Sequence, residues 1–152
     1  MRMIYPGVRE RRAIDRQLTD FFRTYGLTRF RRAIVAISRF YHLRTPTVQW
    51  FEYLDWGKSG GRTFENGKIQ LVHPENWKRG RKYNSERRWV QTVYHEMGHY
   101  VLWADAERKA DLFAHCFVRG VPNGTRPGQT PRPRYGVTQS RPRRRRRRSR
   151  SR

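Results

Sequence analysis

Two histidines four residues apart, His95 and His99, with Glu96 directly after the first, form the segment of this chain with the most explicit chemistry. On a helix the two positions are rotated by roughly 40° and separated by about one turn, so both imidazoles project toward one point. They supply half of a tetrahedral zinc site. Glu96 falls beside such a metal rather than on it, where a carboxylate takes a proton from a water activated by the ion. A third ligand must come from elsewhere, and Glu107 is the candidate, because a turn over 102–105 lets a second helix fold back and present a first-turn carboxylate. Asp111 lies one helical turn further on the same face, placed to accept the spare ring N–H of a ligating histidine and fix its tautomer.

The residues from about Val90 to Phe117, and more loosely the segment before them, resemble the gluzincin metallopeptidases, most closely the ImmA/IrrE-like branch. In that group HExxH is followed by E-x-x-A-[D/N]-x-F-A, and here the second element reads Glu107-Arg108-Lys109-Ala110-Asp111-Leu112-Phe113-Ala114. Seven residues separate His99 from Glu107, a short connection for this group. The resemblance implies a zincin-like domain hydrolysing peptide bonds, with His95, His99 and Glu107 holding Zn2+ and Glu96 as general base. It also implies a protein substrate such as a DNA-bound repressor. His115 is the rival third ligand, since SprT-like proteases use a downstream histidine. It lies about 12 Å beyond Glu107 along a continuous helix, so the two cannot serve one ion. Asp105, a further option, reads better as a helix N-cap. His73, Tyr83 and Tyr100 are weaker candidates, as oxyanion donors.

The elements that must position these groups follow from apolar spacing. Ile14, Leu18, Phe21 and Phe22 recur at helical intervals from Glu10, with Gly26 where a C-terminal cap belongs. A second helix begins near Thr28 with Phe30, Ile34, Ile37 and Tyr41 as its stripe, leaving Arg29, Arg31, Arg32 and Arg39 mostly on other faces. Residues 47–54, after Pro46, read as a strand, and 57–61 as a turn. Residues 62–64 and 68–72 flank Glu65-Asn66-Gly67 as a hairpin. Residues 69–72 are the expected edge strand, along which an extended peptide would pair. Trp50, Phe51, Trp56 and Trp77 read as core or cleft wall. Residues 73–84 read as a basic loop leading to Ser85, the N-cap of the histidine-bearing helix with Trp89, Val90, Val93, Tyr94, Met97 and Val101. Ala110, Phe113, Ala114 and Phe117 form the buried face of a last helix ending at Gly120. The expected class is α+β, a small zincin-like domain with N-terminal helices, a short antiparallel sheet, an HExxH helix and a C-terminal helix.

Composition divides the chain. Its 152 residues carry a net charge of +23 and only 36% hydrophobic residues. From Gly120 onward there is no acidic residue and there are twelve arginines, which leaves +11 on residues 1–119. The division is therefore a metallopeptidase domain over 1–119 and an Arg/Pro/Ser-rich tail over 120–152, expected to be disordered for lack of apolar periodicity. Arg141, Arg143, Arg144, Arg145, Arg146, Arg147, Arg148, Arg150 and Arg152 are its candidate contacts to DNA or RNA, gained through counterion release without base readout. Cys116 is a buried thiol by position, and with one cysteine no intramolecular disulfide forms. With neither a signal-peptide core nor a transmembrane run, the chain reads as intracellular, cytoplasmic or nucleic-acid-associated, and not secreted. The alternative to the enzyme is a non-catalytic nucleic-acid-binding protein in which zinc stabilises a small core.

Overall fold

A computed structural model of the chain describes residues 3–54, 59–80, 85–102 and 107–120. The order of elements is α1 (Val8–Thr24), α2 (Leu27–Phe40), β1 (Thr47–Phe51), β2 (Gly61–Thr63), β3 (Lys68–Val72), α3 (Pro74–Arg79), α4 (Glu86–Leu102) and α5 (Glu107–Arg119). The architecture is α+β, mostly helical, with one small sheet.

The two N-terminal helices bury the stripes that their spacing demands: Ile14, Leu18, Phe21 and Phe22 on α1, and Phe30, Ala33, Ile34 and Ile37 on α2. Arg29, Arg31, Arg32 and Arg39 are exposed. The cap of α1 differs from the expectation. Tyr25, at φ 60°, takes the left-handed position and its N–H closes on Phe21 O at 2.8 Å, while Gly26, at φ −73°, is the N-cap of α2. A non-glycine residue there costs about 1–2 kcal/mol. The Tyr25 ring offsets that cost by packing on His73 at 5.3 Å between centroids and by lying under the Lys78 ammonium at 4.7 Å.

The sheet order is β1-β3-β2. β3 runs parallel to β1, from Thr47 opposite Lys68 to Phe51 opposite Val72, and antiparallel to β2, with Gly61 opposite Leu71 and Thr63 opposite Ile69. The hairpin forms as its Asn-Gly signal requires, with Gly67 at φ 82°. Two expectations are corrected. The sheet is mixed rather than antiparallel, and 69–72 lies in its central strand, because Ile69, Leu71 and Val72 are covered on both sides and both backbone edges are paired. β1 is also shorter than expected, ending at Phe51; Leu54 makes only an isolated bridge to Ser59.

The expected basic loop after β3 instead contains helix α3. His73 is its N-cap, with its imidazole Nδ1 accepting from Glu75 N–H at 3.1 Å, and Pro74 occupies the first turn. Trp77 is buried, as is Trp89 of α4, whose Nε1–H donates to Val72 O at 3.0 Å and ties that helix to the end of β3. Ser85 Oγ stands 3.5 Å from Arg88 N at the start of α4. Helix α5 buries Ala110, Phe113, Ala114, Cys116 and Phe117 and closes on Gly120, which has φ 81° and an N–H bonded to Cys116 O at 2.9 Å. Among the described residues no helix is long and apolar enough to cross a membrane. The turn at 103–106 with Asp105, the residues Trp56, Gly57 and Tyr83, and the tail from 121 with its domain boundary lie outside the described residues.

Helices α4 and α5 meet at Gly98, where an added Cβ would lie 3.0 Å from Phe113 Cβ. Alanine there gains about 1 kcal/mol of helix propensity but overpacks the contact, at a cost of about 1–3 kcal/mol. Gly98→Ala is expected to lower the melting temperature, measured by circular dichroism; an increase would show that the contact has slack.

Candidate metal centre

His95 and His99 stand on one face of α4, and the first residue of α5, Glu107, faces them. His95 Nε2 is 3.1 Å from His99 Nε2 and 2.9 Å from Glu107 Oε2, and His99 Nε2 is 3.2 Å from Glu107 Oε1. The seven-residue connection is thus long enough for the carboxylate to arrive. Asp111, one turn along α5, places Oδ1 2.8 Å from His95 Nδ1. With the Nδ1 proton donated to Asp111, His95 Nε2 carries a lone pair, and it points at a second imidazole nitrogen and a carboxylate oxygen. Electron-rich atoms so close repel one another unless a proton or a cation lies between them. A tetrahedral ion about 2.0–2.1 Å from each donor would hold donors about 3.3 Å apart, close to the distances of the two ring nitrogens from each other and from one or the other Glu107 oxygen.

Among the described residues His95, His99 and Glu107 form the metal-capable group. His115 is exposed and lines the same cleft but is not part of that group. Cys116 is buried, and its burial pushes the thiol's pKa up. Tyr100 donates its hydroxyl to Arg44 O, and His73 is packed against Phe21, Tyr25 and Trp50, so neither is placed as an oxyanion donor. The tail arginines from Arg141 to Arg152 lie outside the described residues.

Glu96 is 6% exposed, although it belongs to the chain's most polar motif. Thr63 of β2 holds it, with Oγ1 2.6 Å from Glu96 Oε2 and 3.0 Å from Glu96 O. Gly61 makes the approach possible, since a Cβ there would sit 2.7 Å from Glu96 Cγ and 2.9 Å from Leu71 Cδ2. Burial raises the carboxyl's pKa, against the lowering effects of the Thr63 hydroxyl and of the two histidines. Glu96 lines a cleft of about 850 Å³ together with His95, Glu107, Gly60, Gly61 and Trp77.

Thr63, Gly61 and Gly98 escaped the sequence reading. The two glycines carried a usable signal, a residue without Cβ beside or within a motif, which marks close approach. Nothing in the sequence pairs residue 63 with residue 96.

Removing the hydroxyl leaves a buried carboxylate without its short hydrogen bond, a loss of about 1–3 kcal/mol. Thr63→Val is expected to lower the unfolding free energy, measured by urea denaturation, by that amount, while Thr63→Ser keeps most of it. Equal behaviour of the two variants would assign the Thr63 contribution to its methyl group.

Compared with known proteins, the chain finds no match among protein-family models, curated proteins or solved structures.

Proposed function

We propose that this chain is a zinc-dependent peptidase of the gluzincin type, acting on a protein substrate associated with nucleic acid. The observation that carries the reading is the convergence of two imidazole nitrogens 3.1 Å apart, each within 2.9–3.2 Å of one of the two Glu107 oxygens, beside the buried carboxylate of Glu96. His95, His99 and Glu107 would hold the ion, and Asp111 would fix the ring orientation of His95 through Nδ1. When bound, zinc supplies Lewis acidity, polarising a carbonyl and making a neighbouring water more acidic. Glu96 takes the proton of the attacking water and returns it to the leaving amine. Thr63 restrains one oxygen of that carboxylate, Oε2. The extended substrate runs beside β2, the terminal strand whose Gly61 borders the cleft.

A structural zinc site needs no general base, and such sites take four protein ligands where three are gathered here among the described residues. The catalytic reading is favoured on both counts. The arginine tail adds a sequence-independent tether to DNA or RNA, which brings the peptidase to repressor-like substrates.

Metal content by mass spectrometry on the purified chain is the primary test. About one zinc per chain is expected, lost in Glu107→Ala and kept in His115→Ala. Loss with His115→Ala instead would transfer the third-ligand role to that histidine, and no zinc in any form would remove the enzyme's centre. Asp111→Asn should weaken zinc affinity about 10–100-fold. Glu96→Gln should retain the metal yet slow proteolysis, self-cleavage included, by about 10²–10⁴-fold; an unchanged rate refutes the peptidase. Removing residues 121–152 should weaken DNA binding and flatten its salt dependence.

A further inference from the structure

Away from the metal-capable group, a second cavity of about 300 Å³ is lined by Val8, Arg11 and Arg12 of α1, Asp15 and Arg87, and by Phe117, Val118 and Arg119 of α5. Four arginines and one acid therefore line it. That acid is committed: Asp15 accepts from Arg87 Nη1 through both oxygens at 3.2 Å and from the Tyr94 hydroxyl at 3.1 Å. The other three arginines have no carboxylate within ion-pair distance among the described residues. Arg11 is anchored by Nη1 on Cys116 O at 2.7 Å, a neutral partner, and its Nε is buried with no acceptor. An unsatisfied buried donor on an uncompensated cation calls for an anion nearby.

Helix α1 begins beside the cavity with no side-chain cap from Gly7 and with one acidic residue, Glu10, in its first turn. Of the apolar lining, Phe117 is buried, while Val8 is exposed and leaves the cavity open to solvent. A carboxylate offers two oxygens and one charge, too little for three uncompensated guanidinium groups. A phosphate group offers three or more acceptors and up to two charges, and forked arginine donors fit it bidentately.

We infer that the cavity between the first turns of α1 and the last turn of α5 is a phosphate-binding site, taking a free phosphate or the backbone phosphate of a nucleic acid. Val118 and Arg119 line both this cavity and the cleft of Glu96, so a phosphate held here marks the border of the cleft. The site stands on the arginines alone, whether or not the chain binds zinc.

Arginine modification by phenylglyoxal, mapped by peptide mass spectrometry on the full chain, tests it residue by residue. Inorganic phosphate should protect Arg12 and Arg119 at concentrations that leave Arg31, Arg32 and Arg39 of α2 reactive, with chloride at equal ionic strength as control. Arg119→Gln should raise the phosphate needed to protect Arg12 by about tenfold, the equivalent of one charge-assisted hydrogen bond, while Arg39→Gln leaves it unchanged. Protection spread evenly over all arginines, or given equally by chloride, overturns the site. A short oligonucleotide that protects the same two residues supports the site and identifies backbone phosphate as the ligand. Protection by inorganic phosphate with none from the oligonucleotide supports it and identifies a free phosphate.

Discussion

The distance between α4 and α5 is the constraint on which the candidate site depends. Gly98 sits close against Phe113, where an added Cβ would lie 3.0–3.1 Å from three of its side-chain atoms, so the two helices pack tightly at this point. Phe113 is locked from its other sides by Phe117 at 4.8 Å and Tyr5 at 5.7 Å between ring centroids. Only at that separation does a short acidic side chain at the start of α5 reach two imidazoles on α4, and only then does Asp111 reach the far nitrogen of His95. A wider spacing would leave three polar side chains on two helix surfaces and no common point.

The two glutamates near that point differ by environment. Glu107 has a side chain 74% exposed and lies against the histidine nitrogens, where it can act as a donor to a cation. Glu96 is buried, with desolvation working against its charge and a threonine hydroxyl working for it. The same functional group thereby sits in two different environments, and the sheet supplies the difference: β2 passes beside α4, where Thr63 bonds the Glu96 carboxylate and Gly61 lets the strand come close.

Much of this arrangement was legible in the sequence because it is local. The stripes of α1, α2, α4 and α5 follow from 3.6-residue periodicity, and the donor trio from i, i+4 spacing plus a carboxylate after a turn. What was missed has non-local causes. The parallel pairing of Val48 with Ile69 joins strands whose intervening chain gives no sign of a crossover, so β3 was taken for an edge. Helix α3 is six residues long, too short for periodicity, and its signs, Pro74 at the first position and His73 as cap, were read as loop chemistry. Tyr25 took the left-handed position that Gly26 was expected to fill, because contacts from His73 and Lys78, distant in sequence, stabilise it there.

The described contacts of the donor trio span residues 95 to 111, one helical hairpin, whereas the environment of Glu96 needs Gly61 and Thr63 from a strand more than thirty positions earlier. Short-range contacts close early in folding and reopen at little entropic cost, while long-range ones wait for the sheet. The donor trio and the burial of Glu96 thus depend on contacts of different sequence range. The meeting of His95, His99 and Glu107 therefore needs only α4 and α5 to be in place, whereas the surroundings of Glu96 also need the sheet docked against α4.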